Sequence, residues 1–299
     1  MSNWCSDCVT ALVAVAAALS LTTAPTLGQA PQAQAGCPQE SALFHPCALA
    51  EAKTFSPPRT PDGEPDMQGF WRGPGAGTES IEEHPKTFDD AGGKSLIVDP
   101  PDGKVPYQPW AAAQRKENRE QYIDPNVPCF LSGVPRTMYV PTQIQILQSP
   151  GYVVLLLERA HAYRIVPTDG RSHLGDTIHL WQGSSRGRWE GDTLVVDATN
   201  QNAKAWLDQA ANFYTNAVHM VERFTLIDQD TIHYEVTIED PNVYTRSWMM
   251  AFPVRRLNQP GYELMEEACH EGERDTPLLI DLGRQIYPGV HGREPRKIE

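Results

Sequence analysis

A chain of 299 residues, 40% hydrophobic and 21% charged, has a globular composition and is long enough to bury a core without help from metals or disulfides. Its net charge of −13 offers no basic surface to displace counterions from a polyanion, which excludes nucleic acid as a partner. Beyond the first 25 residues no apolar run approaches the ~20 residues that span a bilayer, so no stable membrane insertion is expected.

Val9 to Leu21 (VTALVAVAAALSL) is an apolar stretch too short to span, followed by small residues. It reads as the core of an export signal over residues 1–35, cleaved after Ala33-Gln34-Ala35 or, alternatively, Gly28-Gln29-Ala30. The mature protein is then periplasmic or secreted. Losing Cys5 and Cys8 leaves Cys37, Cys47, Cys129 and Cys269. An even count in an oxidising compartment favours disulfides. Cys37–Cys47 with Cys129–Cys269 is the simplest of the three pairings. The competing reading makes Cys269-His270-Glu271 a nucleophile or metal site.

Residues 36–135 carry 15 of the 26 prolines and residues 136–299 carry nine. The first part is expected to be irregular, packing on a β domain built by the second. Its one clear helix is Trp110 to Tyr122, with Pro109 suited to the first turn. From residue 138 the period becomes two. Ile144–Gln148 ends at the turn Pro150-Gly151, and Tyr152–Val166 reads as one long strand. A glycine turn joins Trp189 to Thr193–Asp197. His219–Ile227 and Thr231–Glu239 form a hairpin across Asp228-Gln229-Asp230. Trp248–Arg255 carries Pro253, which suits an edge or bulge, and Gly261–Ala268 is taken as a strand leading to Cys269. Successive hairpins without helices between them give a mainly β, antiparallel fold of about seven or eight strands. That is an up-and-down, lipocalin-like barrel or a sandwich, with one or two short helices.

Polar groups on these strands and loops are the candidate chemistry. In Thr231–Glu239 one face carries Thr231, His233, Glu235, Thr237 and Glu239, and the other is apolar. The polar face is either solvated or lines a barrel cavity. His219 and Glu222 fall on opposite faces, which argues against a shared metal site. Arg159, His161 and Tyr163 share a face of the long strand. In the loop Thr168–His173, Asp169 can hold a turn and Gly170 can adopt positive φ, so that Arg171 and His173 project near each other. The spacing between His173 and His179 matches no local zinc motif, and metals are not expected. Phosphate-binding loops, dinucleotide fingerprints and serine-hydrolase elbows are absent too, so no cofactor is expected.

The segment Gly187-Arg188-Trp189-Glu190-Gly191-Asp192-Thr193-Leu194-Val195-Val196-Asp197 resembles the signature of a large group of exported bacterial proteins of uncharacterised function. Pro65–Trp71, Cys129 with Gly133–Arg136, Thr168–His173, Ala205–Asp208, His219–Phe224, Glu239–Thr245 and Cys269–Glu271 are similar to further motifs of that group. Asn212–Thr215 departs from it: a G-x-P-H-S element is usual there, and any role of its histidine would fall to Tyr214. The resemblance implies export and names no activity.

Three functions fit these readings. The first is an exported enzyme doing cofactor-free acid–base chemistry, of lyase, isomerase, cyclase or hydrolase type, on a small organic molecule in a barrel cavity. Its catalytic candidates are His161, Asp169, Arg171, His173 and His219, with Arg171 holding an anionic oxygen. Arg159, Tyr163, Trp189, Tyr214 and Glu222 are its substrate-binding candidates. The alternative is a periplasmic binding or carrier protein without turnover. A structural cell-envelope protein is the third.

Overall fold

A computed structural model describes residues 36–75, 77–87 and 92–290. The export signal expected over residues 1–35 lies outside them, as do Cys5 and Cys8. The described chain begins with helix α1 (Ser41–Glu51), strands β1 (Gly69–Arg72) and β2 (Ile97–Asp99), helix α2 (Pro109–Gln121) and β3 (Tyr122–Ile123). There follow β4 (Gln143–Ser149), β5 (Tyr152–Leu157), β6 (Tyr163–Pro167), β7 (Ser184–Glu190), β8 (Thr193–Thr199), β9 (His219–Asp228), β10 (Thr231–Glu239) and β11 (Trp248–Arg256). Two short helices, α3 (Cys269–Gly272) and α4 (Asp275–Asp281), precede β12 (Gln285–Ile286), which pairs in parallel with β3.

Nine strands in the order β6-β5-β4-β1-β11-β10-β9-β8-β7 make one antiparallel sheet that curls into a nearly closed barrel. β2 adds to β11 off this path. Nine strands, each antiparallel to the next, leave the two end strands, β6 and β7, running the same way. They meet at a seam joined by side chains. Arg164 on β6 donates from Nε to Ser185 Oγ on β7 at 2.8 Å. Gly187 is needed there, because a Cβ would lie 2.8 Å from Val166 and 2.9 Å from Thr168.

Alternation places Ile232, Tyr234, Val236 and Ile238 of β10 inside the barrel, where all are buried. An aromatic column fills the interior. Tyr234 packs on Phe224 and Phe252 with ring centroids 5.0 and 4.9 Å apart, and Tyr139 meets Phe252 edge-on at 5.7 Å. Within this core lies a buried ion pair. Arg164 holds both carboxylate oxygens of Glu222, and Tyr234 donates its hydroxyl to Glu222 at 2.7 Å. Burial first, then the Glu222 charge, holds the Tyr234 phenol well above its usual range.

Three sequence expectations are corrected. Tyr152–Val166 is two strands, since the chain turns back over residues 158–161. Ala160 and His161 take positive φ (55° and 49°) in that turn, which no glycine or proline announces. Gly261–Ala268 forms no strand and reaches α3 as irregular chain. The proline-rich part does more than pack on the barrel: β1 inserts between β4 and β11 as a stave of it.

Both expected disulfides are present, Cys37–Cys47 and Cys129–Cys269, with Cα atoms 5.7 and 5.9 Å apart. The reading of Cys269 as a free nucleophile or metal ligand is thereby removed. Among the described residues no helix is long and apolar enough to cross a membrane.

Candidate functional site

Because β6 and β7 run in the same direction, residues 168–183 must return along the barrel to begin β7. The loop opens with the expected turn: Asp169 Oδ1 accepts from Arg171 N–H at 3.2 Å, and Gly170 sits at φ 78°. Arg171 then folds onto Asp169 and donates to the Tyr152 hydroxyl at 2.6 Å. The Arg171 hydrogen bonds push the Asp169 carboxyl down to about 2. Arg171 is thus bound to Asp169 and Tyr152, and no contact with His173 joins it to that residue among the described residues.

Two residues on, the chain lies along β7. Arg186 Nε donates to Ser172 O at 2.7 Å, and Ser184 Oγ accepts from Leu174 N–H at 3.2 Å. This lays His173 over the outward face of the adjacent β8, on Asp197. His173 Nε2 lies 3.0 Å from Asp197 Oδ1, and its Nδ1 lies 3.1 Å from Ser184 Oγ. From the first position of β9, His219 reaches the same carboxylate, with Nε2 at 2.8 Å from Oδ2. One carboxylate therefore binds two imidazoles, one on each oxygen. The side chains of His173, Asp197 and His219 are 28%, 30% and 40% exposed, so the cluster is formed and reachable from solvent.

His173 Nδ1 shares a hydrogen bond with Ser184 Oγ. An ionised carboxylate only accepts, so the hydrogen-bonded His219 presents its Nε2–H to Asp197. The Nδ1 of His219 then carries a lone pair. At His219, the most exposed of the three, it is the basic atom of the cluster. Arg186 is the register partner of Asp197 on the neighbouring strand, with its guanidinium on the carbonyls of Ser172 and Ser185.

The other candidates do not join this cluster. His161 lies in the β5–β6 turn, at the opposite end of β6 from the 168–173 loop, where it lines a cavity of about 230 Å³ with Glu266, Glu267 and His270. The expected convergence of Arg159, His161 and Tyr163 with that loop fails because the strand breaks at residue 158. Arg159 pairs with Glu267 at 2.6 Å, and Tyr163 is 65% exposed on β6. Trp189 packs on the core, and Tyr214 is buried with its hydroxyl on Gln201 at 2.7 Å. Burial pushes that phenol well up. Glu222 faces inward, away from His219 as the alternation implied, and is committed to Arg164.

Sequence reasoning missed Asp197, Ser184 and Arg186. Asp197 ends the signature segment on the outward face, the one available hint; nothing local marks the two others. Comparison with known protein families, with curated proteins and with solved structures finds no match to this chain.

Proposed function

We propose that this protein is an exported enzyme performing cofactor-free acid–base chemistry on a small organic molecule at the His173–Asp197–His219 cluster. The observation that carries the reading is the single carboxylate holding two imidazoles, one of them exposed. His219 Nδ1 takes a proton from a C–H or O–H acid, leaving the electron pair on the substrate as an enolate or alkoxide. Asp197 stabilises the imidazolium formed. Arg186, the register partner of Asp197 on β7, is the nearest candidate along the sheet for the substrate anion's countercharge, the task first expected of Arg171. Returning the proton at another position makes the reaction an isomerisation; expelling a leaving group makes it a lyase reaction. Two disulfides suit an oxidising compartment, and membership of the exported group carrying the Gly187–Asp197 signature belongs to the same proposal.

The test is turnover of a pool of small enolisable ketones, hydroxy acids, lactones and esters, followed by NMR. Asp197→Asn should lower kcat about a hundredfold or more at an unchanged melting temperature. Full turnover in that variant defeats the proposal.

A second reading, binding without turnover, draws on another place. A cavity of about 350 Å³ is lined by Arg136, Arg159 and Arg274 among others. Arg136 is 1% exposed and paired with Asp124, yet its Nε has no hydrogen-bond partner among the described residues. An organic acid from the same pool that binds there unchanged would favour a carrier.

A further inference from the structure

The polar face of β10 points outward, but part of it is not solvated. Helix α1 lies over it and buries His233, which is 1% exposed. Phe44 packs edge-on against the His233 ring at 5.4 Å, and Phe44 and Ala48 form a small apolar cluster with Ile227 and Cys37. The next residue of the helix, His45, is thereby brought to His233 across 188 residues of sequence. His45 Nδ1 lies 3.1 Å from His233 Nε2 and 3.6 Å from Glu235 Oε1. Glu235 is two residues along β10 and shares the outward face. The Cys37–Cys47 disulfide closes two residues beyond His45 and ties the segment preceding this helix to its middle.

The geometry points to a metal site: His45, His233 and Glu235 bind one divalent transition-metal ion of the zinc class, with water completing the coordination. Ligand atoms about 2.0–2.1 Å from a tetrahedral zinc lie roughly 3.3–3.4 Å apart; the 3.1 and 3.6 Å separations bracket this, and His233 Nδ1 lies 4.0 Å from Glu235 Oε2. Two imidazoles and one carboxylate also form a donor set that leaves a fourth position open. One ligand atom from each residue falls within 4.8 Å of the others, so binding needs only small side-chain rotations. The charges agree with the geometry. Burial, then the neighbouring His45, pushes the His233 imidazole down to about 3, and burial lowers His45 as well. Burial raises the Glu235 carboxyl, against the opposing charge of Arg223. Arg223 itself is held by Glu190 at 3.0 Å.

This site is separate from the acid–base cluster. His219 pairs with Glu239 and His233 with Thr225, six residues along β9, or roughly 20 Å. The proposal therefore stands or falls independently of the enzymatic one.

The full mature protein, stripped with a chelator and dialysed, is titrated with Co²⁺ and, in parallel, with Zn²⁺. One equivalent should bind, giving visible d–d absorption with Co²⁺ and a raised melting temperature with Zn²⁺. His45→Ala and Glu235→Gln change side chains that are not fully buried, and circular dichroism checks that both variants fold. Each should weaken binding at least tenfold, while His179→Ala should leave it unchanged. No stoichiometric uptake by the wild type, or equal uptake by the folded His45→Ala and Glu235→Gln variants, overturns the site.

Discussion

Replacing Glu222 by Gln is expected to destabilise the barrel by about 3–5 kcal/mol, because it strands the Arg164 guanidinium without its countercharge. Arg164 and Glu222 are only 2% and 0% exposed, and neither can turn to solvent. The pair also does structural work that backbone does elsewhere. β6 and β7 share no ladder, and Arg164 links β6 to Ser185 of β7 and to Glu222 of β9 across the seam. Urea unfolding reads the cost, and amide exchange should quicken in β6 and β7 before the rest of the barrel. The double variant Arg164→Met, Glu222→Leu removes both charges and should recover most of the loss. A loss under about 1 kcal/mol in Glu222→Gln would mean that the pair is hydrated and the seam is held by something else.

Opening the Cys129–Cys269 bridge should have an effect of similar size. Its loop spans 140 residues, which the chain-entropy model values at about 5 kcal/mol; the ten-residue Cys37–Cys47 loop is worth about 3 kcal/mol. The long bridge ties the C-terminal segment to the barrel. Beside it Glu267 pairs with Arg159, and Met265 N–H donates to Glu158 at 3.0 Å. The paired variant Cys129→Ser, Cys269→Ser should therefore lose several kcal/mol and become sensitive to proteases after residue 257, while Cys37→Ser, Cys47→Ser loses less. Equal losses from the two pairs would contradict this ranking. Denatured, unreduced mature protein should show no titratable thiol.

β8 to β11 were legible as apolar or alternating runs between turn residues, most clearly in Thr231–Glu239, where every second residue is apolar and faces the core. The disulfide pairing was legible from cysteine count and spacing. The turn at residues 158–161 was not, because its backbone conformation is carried by Ala160 and His161 rather than by glycine. β1 was hidden by its four residues and by partners on β4 and β11 that lie far along the chain. The candidate site was half legible. His173 and His219 stood out as residue types, but the group that joins them, Asp197, reads as the last residue of a strand. The pairing of His45 with His233 has no sequence signal, because it exists only where α1 crosses β10. The pairing of Arg171 with Asp169 follows from the turn chemistry of the loop, which the sequence showed.

In the proposed function His219 and Asp197 act as one acid–base unit. A double-mutant cycle on kcat/KM, using wild type, His219→Gln, Asp197→Asn and the double variant, tests it most directly on a substrate found in the turnover screen. Groups that act as a unit lose most of their effect together. Each single variant should fall about a hundredfold or more, with the double variant no worse than the poorer single one. Losses that multiply, or a His219→Gln variant with undiminished turnover, would contradict the account.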